Sequence, residues 1–427
     1  MAQRRKKVTS FQKQKLAKAQ HRNEFLRKLK HVINTINGKE VSAIIPQTIF
    51  DNLYNTRTHS FKIVAPDEYN IPSWIINEAR QIISGRTKNE KIIVIPNKLE
   101  VTIEEFFTVV LTASINLDRF LTDELSSLRP LKKKLKKFNT CLETIFDQAN
   151  NTIYIMLLTI AFYYNDIGKI LYWLKHEITP SPGLENGIVN LISIYPYKIE
   201  SSSIVIDDNH RPVIRLGYAF PNYGIDWITV KPSVLNIDNP FADIPLDVYI
   251  QSHALQRLSE RIDCFPTGSL HHHMFLSFKD PKVFYDINHN ILIEYRYFGT
   301  RAGYFRVDIA EGMIIIRTFL FVTNNSTPEG LKLGKITGLQ KLDKKYLAID
   351  KLSTFMTSDI GENDKVRKIF TSAGCQCLLD LYEKSHKIAT NSSKQFDADL
   401  MLKYIGYDKE HLPESIQHAT LIRTQPA

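Results

Sequence analysis

Hydrophobic positions in the first 180 residues recur mainly with the spacing of an α-helix. Phe25, Leu29, Ile33 and Ile36 follow one another at three- and four-residue steps. The later half of a helix over residues 5–36 is therefore predicted to pack against the protein. Similar patterns, together with residues that begin and end helices, predict three further helices and a short strand. The helices are expected at residues 74–84 (ending at Gly85), 102–128 and 153–174, and the strand at residues 91–96.

The stretch at residues 153–174 is strongly apolar but contains Asn165, Asp166 and Lys169. Placing a charged side chain at the centre of a lipid bilayer costs about 2.5–3.5 kcal/mol. We therefore predict a helix in the protein core and no membrane partner, with a membrane-spanning helix as the alternative.

The pattern changes at Pro180, Pro182 and Gly183, where we place a domain boundary. Beyond it, β-branched and aromatic residues dominate, which predicts strands. These strands are expected at residues 188–194, 203–206, 213–220 and 225–230, with a hairpin-like turn at 207–212.

Residues 245–325 combine two predicted helices with four closely spaced strands. Because the strands are joined by short turns, they are expected to form an antiparallel meander. The helices are placed at residues 252–261 and 268–278, and the strands at residues 282–287, 291–298, 303–309 and 313–323. Helical patterns return from residue 339 to about residue 407.

The predicted fold class is therefore α+β, with a helical N-terminal region, a mixed or β-rich middle, an α-α-β-β-β-β module and a helical C-terminal region. The expected divisions are a basic tail at residues 1–31, a mainly helical domain at 32–180, a β-rich segment at 181–244, the module at 245–325, a helical region at 326–410 and a flexible tail at 411–427.

The net charge of +10 is concentrated at one end of the chain. Residues 1–31 contain eleven Lys or Arg residues and one acid, whereas the other 396 residues contain 44 basic and 44 acidic residues. Basic tails of this kind bind nucleic acid through counterion release; a solvated helix without a partner is the alternative. The candidate nucleic-acid contacts in the tail are Arg4, Arg5, Lys6, Lys7, Lys13, Lys15, Lys18 and Arg22. A second basic cluster at residues 132–137 is predicted to be a solvated helix face.

The remaining composition favours a cytoplasmic protein without a cofactor. Four cysteines give no disulfide framework, and the basic N-terminus lacks the apolar core of a secretory signal. No glycine-rich phosphate loop or paired-carboxylate motif is present. Three consecutive histidines at 271–273 do not predict a metal site, because neighbours on a helix point about 100° apart. A single one of them, His273, is the best candidate to face His253.

The most informative chemical motif is the decapeptide at residues 252–261. Ser252 is predicted to cap a helix, which places His253 in the first turn, where a bound anion is favoured. Arg257 and Arg261 follow at four-residue steps on the same face. An imidazole provides a general acid or base near neutral pH, and guanidinium groups bind phosphate. The alternative is an exposed helix whose Arg257, Glu260 and Arg261 form ordinary salt bridges.

The strands that follow supply two further candidates for the catalytic site, Tyr304 and Arg306, of which Arg306 is expected to hold the phosphate with Arg257 and Arg261. Alternation places Tyr304 and Arg306 on one face of a strand, and a sheet covered by helices on its apolar face would leave both open to RNA together with Arg296. Arg317 is a further candidate for contact with the nucleic-acid backbone. The alternative for Arg306 is an ion pair with Glu294 across adjacent strands.

The His-Ala-x-x-Arg-Leu-x-x-Arg pattern at residues 253–261, with the element order that follows it, resembles the small bacterial toxin ribonucleases of the RelE and barnase-like superfamily. The resemblance covers residues 245–325. It implies metal-independent RNA cleavage with His253, Arg257 and Arg261 in the site. The sequence departs from that pattern in the loop at 264–268 and in its extra regions on both sides, and a domain of this shape can also serve as an inactive binding scaffold.

Three functional hypotheses follow. The first is a cytoplasmic protein that interacts with nucleic acid, RNA favoured, and carries an endoribonuclease module. The second is a non-catalytic nucleic-acid-binding or assembly protein of a phage or mobile element. The third is a structural protein whose basic tail docks a protein partner. A homo-oligomer is compatible with each of them.

Overall fold

The structure, a computed structural model, describes residues 10–121, 128–180, 187–206, 208–237, 241–357, 360 and 363–385. These residues form two compact units. The first lies within Met1–Ile160, Trp173–Pro196 and Pro221–Gly224, and the second within Ala161–Tyr172, Tyr197–Phe220 and Ile225–Ala427. Both units contain helices and strands, so the chain has the α+β fold class predicted from the sequence.

The first unit combines helices with a three-stranded sheet. Its elements are α1 (Ser10–Asn37), α2 (Gln47–Asn55), β1 (Thr58–Val64), α3 (Ser73–Asn89), β2 (Lys91–Ile95), β3 (Leu99–Thr102), α4 (Ile103–Glu105), α5 (Leu111–Phe120) and β5 (Ile188–Lys198), with most of α6 (Arg129–Tyr164) and β4 (Ile170–Pro180). The sheet order is β1-β5-β4, and β1 runs parallel to β5. Strands β2 and β3 form a separate hairpin.

Helix α1 is divided into an exposed first half and a packed second half. Every residue from 11 to 21 is exposed. An ion pair between Arg22 and Asp51 joins α1 to α2 where the packed half begins. The buried positions that follow are Phe25, Leu26, Leu29, Val32 and Ile33. They recur at helical spacing and share one face, so the predicted packing of the later half is confirmed.

Two predicted helices of the first unit have different bounds in the structure. Helix α3 was expected to end at Gly85 but continues to Asn89. A side chain at Gly85 would meet nothing within 4 Å, and one exposed glycine costs a helix only about 1 kcal/mol. The helix expected at 102–128 begins with a capping box between Thr102 and Glu105 but contains a π-helical turn at Phe106–Val110 and ends at Phe120. Residues 122–127 lie outside the described part.

The apolar helix expected at 153–174 also has different bounds, because α6 begins at Arg129 and ends at Tyr164, and residues 170–174 belong to β4. The three polar residues of this stretch make the intervening turn. The Asn165 side-chain oxygen accepts the Tyr172 N–H at 2.6 Å, and Asp166 accepts the Gly168 N–H at 2.8 Å. Among the helices that the structure describes, none has the length and apolarity needed to cross a membrane.

The second unit is built on a large sheet. Its strands are β6 (Ser201–Ile206), β7 (Asn209–Arg215), β8 (Gly217–Phe220), β9 (Gly224–Trp227), β10 (Thr229–Val230), β11 (Leu246–Gln251), β12 (Val283–Tyr285), β13 (Ile291–Tyr297), β14 (Thr300–Ala310) and β15 (Met313–Phe321). The order of the main sheet is β12-β13-β14-β15-β11-β7-β6. The predicted antiparallel meander from β12 to β15 is confirmed. The sheet is larger than the four strands expected, because β11 pairs parallel to β15 and adds β7 and β6.

Helices cover both faces of this sheet. They are α7 (Ser252–Arg261), α8 (Thr267–Lys279), α9 (Pro328–Thr337), α10 (Lys341–Tyr346), α11 (Leu352–Thr357), α12 (Asp364–Ala373) and α13 (Gln376–Ser385). Helices α7 and α8 pack on β15 and β13, respectively, over a cluster of Tyr295, Phe305 and Phe319. Helix α13 packs against β14. The α-α-β-β-β-β order and the return to helices are therefore confirmed as far as Ser385; residues 386–407 of the predicted helical region lie outside the described residues.

The start of α8 packs so closely on the turn after α6 that only glycine fits. A side chain at Gly268 would lie 2.7 Å from the carbonyl oxygens of Ala161 and Phe162 and 2.8 Å from that of Asn165. We expect Gly268→Ala to lower the free energy of unfolding by about 1–3 kcal/mol through overpacking. Gly85→Ala, which meets no neighbour, is the matched control and should leave stability unchanged or raise it by about 1 kcal/mol. Urea unfolding measures both variants, and equal stability of the two would contradict the packing described.

Candidate functional site

Helix α7 presents the predicted histidine to solvent. His253 is exposed in the first turn, and Ala254, Leu255 and Leu258 are buried on the opposite side. The predicted cap is wrong: Ser252 is already the first helical residue, and Gln251 occupies the cap position without a side-chain bond. Strand β11 runs directly into the helix, so the last extended residue of the strand becomes the cap.

Both arginines of α7 have carboxylate partners. Arg257 donates to Glu260 at 2.9 Å, which is the surface ion pair considered as the alternative. Arg261 pairs with Asp350, and both side chains are less than one-fifth exposed. The guanidinium of Arg261 is therefore committed to joining α7 to the segment before α11. Only Arg257, with 41% of its side chain exposed, remains within reach of a ligand beside His253.

The sheet face predicted to be open is covered at Tyr304. This side chain is fully buried, and its hydroxyl accepts a hydrogen bond from Arg301 at 2.7 Å and donates one to Glu329 of α9 at 2.9 Å. Arg301 also pairs with Glu329 at 2.8 Å. Burial raises the pKa of the Tyr304 hydroxyl well above its ordinary value. The expectation that Tyr304 contacts RNA is therefore wrong, because the C-terminal helices occupy that face.

The other candidate arginines of the sheet lie in different surroundings. Arg296 donates to the carbonyl oxygen of Asp280 at 2.5 Å and lies 3.3 Å from its carboxylate, and Arg317 donates to Asp308 at 2.7 Å. Arg306 is half-buried. The pKa of Asp286 is lowered, against the effect of burial, mainly by hydrogen bonds from Asn290 and Asn288, and to a smaller extent by the charge of Arg306. The Nε of Arg306 has no hydrogen-bond partner in the described residues.

The alternative of a cross-strand ion pair between Arg306 and Glu294 is not realised. Arg306 lies opposite Leu292 and Thr318, whereas Glu294 lies opposite Tyr304 and 3.9 Å from Arg301. In the part of the chain that the structure describes, no hydrogen bond or ion pair links His253 to Tyr304 or Arg306. The predicted catalytic set is therefore divided between the exposed start of α7 and the interior of the sheet.

The basic tail is described from residue 10 onward. Lys13, Lys15 and Lys18 are exposed, and none of them has a carboxylate partner within residues 10–385 as far as these are described. Arg22 differs, since it pairs with Asp51. The remaining predicted contacts, Arg4, Arg5, Lys6 and Lys7, lie outside the described residues. In the second basic cluster, Lys133, Lys136 and Lys137 are exposed on α6, as predicted for a solvated face.

The three histidines of α8 are buried in separate environments. His271 accepts the Ile167 N–H at 3.1 Å, and His272 lies among aromatic rings. The ring of His273 is tilted against that of Tyr297, with the ring centres 4.3 Å apart, and does not face His253. Burial lowers the pKa of His271 and His272 to about 4 and lowers that of His273. No group of three or more metal-ligating side chains occurs in the described ranges. These histidines are neutral packing residues at pH 7.

The first unit contains a cavity of about 300 Å³ that sequence patterns did not indicate. Its charged and titratable lining comes from three separate segments: α1, β1 and the helical stretch that starts at residue 103. The residues are His21, Glu24, Lys28, Arg57, His59, Glu104 and Glu105. The only sequence signal was the alternation Arg57-Thr58-His59 at the start of a strand, which carries no motif.

Comparison of the chain with protein-family models, curated proteins and solved structures finds no match to any of them.

We expect the second unit to lose stability as the pH falls from 6.5 towards 4. Unfolding returns each histidine pKa to about 6.5, so the unfolded chain takes up protons that the folded chain excludes. The stabilisation is complete above pH 6.5 and decreases below it, by up to about 3 kcal/mol for each of His271 and His272. Urea unfolding at several pH values measures this dependence.

His272→Phe is the matched variant for this experiment. The imidazole lies 5.0 Å from the rings of Phe162 and Tyr218, and its Nδ1 has no hydrogen-bond partner among the residues described. A phenyl ring fits the same aromatic surroundings without titrating, so stability should vary less steeply with pH. His253→Gln, at an exposed position, should leave the pH dependence unchanged. An equally steep dependence in His272→Phe would contradict the assignment.

Proposed function

We propose that this protein binds nucleic acid, RNA favoured, through the exposed first half of α1. The observation that carries the proposal is that residues 11–21 of α1 are exposed and that the three lysines among them, Lys13, Lys15 and Lys18, have no carboxylate partners among the described residues. Lys15, Lys18 and Arg22 are spaced three and four residues apart and lie along one helix face. Four further basic residues precede this segment in the sequence, at positions 4–7.

The charge distribution supports phosphate contact rather than base recognition. The segment up to residue 31 carries the whole net charge, so attraction to a polyanion is confined to one region of the chain. The cations of the exposed half are lysines, which bind phosphate as point charges, and contacts to phosphate carry no sequence information. We therefore expect affinity that depends strongly on salt and weakly on sequence.

A second candidate function is RNA cleavage at the start of α7, supported by the exposure of His253 one turn before Arg257. In that reaction the RNA 2′-oxygen loses its proton, attacks the phosphorus and displaces the 5′-oxygen. The products are a 2′,3′-cyclic phosphate and a 5′-hydroxyl end. His253 would transfer one of the protons, and Arg257 would exchange Glu260 for the phosphate. Arg261 would position α7 through Asp350, and Tyr304 would take no part.

Neutralising the exposed lysines of α1 tests the binding proposal. We expect the triple variant Lys13→Gln, Lys15→Gln, Lys18→Gln to bind a single-stranded RNA oligonucleotide more weakly, with the slope of log affinity against log salt reduced by about 2. The matched control neutralises Lys133, Lys136 and Lys137, which are three exposed lysines of α6. Fluorescence anisotropy measures both proteins. Equal weakening in the two variants would show that total charge, and not α1, determines binding.

A ribonuclease assay with chelator present tests the second candidate. If α7 is catalytic, His253→Ala should reduce cleavage by about 100-fold or more, as expected for loss of a general acid or base. The control is His210→Ala, at an exposed position on β7. Unchanged cleavage in His253→Ala would exclude α7 as the site. If the wild-type protein leaves RNA intact but binds it through α1, a non-catalytic binding or assembly role is favoured. If the protein does not bind RNA, a protein partner for the tail is favoured.

A further inference from the structure

Two neighbouring cavities in the first unit share His59 and Ser60 in their walls. The first, of about 300 Å³, is the one described above, and the second, of about 370 Å³, is lined by residues 59–63 of β1 together with Arg80 and Val189. A volume near 300 Å³ is at the small end of the range for sites that hold small organic molecules. The shared wall is therefore the place where a ligand of either cavity would contact β1.

Three cations without a carboxylate partner in the described residues lie along this wall, whereas the first cavity also contains three glutamates. Arg57 lines the first cavity, and Lys62 and Arg80 line the second. None of these three forms a salt bridge within the described part of the chain, and the residues that line the second cavity include no acid. Lys28 differs, because Glu105 at 2.8 Å and Glu24 at 3.3 Å already compensate its charge.

Uncharged donors accompany these cations. Thr58 is only 1% exposed, and its hydroxyl has no hydrogen-bond partner among described residues; the same holds for the buried Nε2 of His59. Ser60 adds an exposed hydroxyl in the shared wall. Burial and the neighbouring Arg57 lower the pKa of both His21 and His59, so each imidazole is neutral at pH 7 and keeps one N–H donor. Buried polar groups usually have hydrogen-bond partners, so the Thr58 hydroxyl and the His59 Nε2 are suited to bond with a ligand.

The backbone of β1 is irregular at the same place. His59 pairs with Val189 and Lys62 with Leu191, so β1 contains one residue more than β5 over this interval. Such a bulge redirects side chains and is common beside functional sites. Here it falls on Ser60 and Phe61, between Arg57 and Lys62.

We propose that this wall binds the phosphate group of a small hydroxylated phosphate monoester of the nucleoside monophosphate type. Arg57, Thr58, His59 and Ser60 all line the first cavity, and their guanidinium, two hydroxyls and imidazole provide more donors than the two oxygens of a carboxylate use, whereas a phosphate offers three terminal oxygens. Glu104 lines the first cavity together with His21 and Glu24 of α1 and has no cation partner in the described residues. A carboxylate there accepts hydrogen bonds from ligand hydroxyls.

This site is separate from α7 and from Lys13, Lys15 and Lys18 of α1, although His21 at the end of the exposed half lines the first cavity, and it does not depend on the function proposed above. Its test is calorimetric titration of the full chain with adenosine monophosphate, ribose 5-phosphate, inorganic phosphate and adenosine. We expect the two monoesters to bind more tightly than inorganic phosphate, and adenosine, which lacks phosphate, to show no binding. Arg57→Lys keeps the charge but loses the paired donors, so it should weaken monoester binding by about 10- to 150-fold.

Two further variants complete the experiment. Arg119→Lys, at an exposed position of α5, is the matched control and should bind as the wild type does. Glu104→Gln should weaken the binding of ribose 5-phosphate but not the binding of inorganic phosphate. Arg57 also packs over the Tyr54 ring at 4.0 Å, so a thermal melt checks that the Arg57→Lys protein is folded. If it is not, Ser60→Ala takes its place, and this variant should also weaken monoester binding.

The proposal is overturned if no monoester binds at about 10 mM, the range of a weak but specific site. Adenosine binding as tightly as its monophosphate would overturn it as well, since the phosphate would then contribute nothing. Binding of an oligonucleotide that depends on Arg57, without binding of any monoester, would instead assign the wall to the phosphates of a nucleic-acid strand.

Discussion

The parallel pairing of β11 with β15 is the interaction on which the second unit depends. Val248 and Ile250 of β11 are fully buried and lie opposite Ile314 and Ile316 of β15. Without this pair, the meander from β12 to β15 and the hairpin of β6 and β7 would be two small sheets, each with an open edge. The pairing also determines where α7 begins, because the helix follows β11 without a connecting loop.

The direct attachment of α7 to β11 explains which residues of the helix a ligand can reach. A helix that leaves a buried strand must bury the side nearest the sheet, and Ala254, Leu255 and Leu258 do so. His253 is left in the first turn, on the solvent side. The far end is fixed by Arg261 and Asp350. The helix is therefore anchored at both ends, and a ligand has access to its first turn and to Arg257, but not to its whole basic face.

Local patterns in the sequence were enough to predict most elements of the fold. The period of Phe25, Leu29 and Ile33 identified the packed half of α1, and the short turns between strands identified the meander. Features that depend on distant parts of the chain were not predictable. Tyr304 alternates with apolar neighbours as an exposed strand residue would, but Glu329 and Arg301 hold it in the interior, and Glu329 comes from a helix 25 positions later.

The candidate site shows the same division between local and distant information. Exposure of His253 follows from the pattern of α7 itself. The cavity at Arg57 and His59 requires α1, β1 and the stretch from residue 103 to meet, and no spacing in the sequence brings these segments together. The partner of Arg261 was unpredictable for the same reason, since Asp350 is 89 positions away.

The separation of charge between α1 and the rest of the chain has a consequence for the behaviour of the protein in solution. If a protease cleaved the exposed half of α1 and released residues 1–21, the product would carry 48 basic and 45 acidic residues. Its net charge would fall from +10 to +3. Molecules with little net charge repel one another only weakly, so the shortened protein would be more prone to self-association and precipitation at physiological pH.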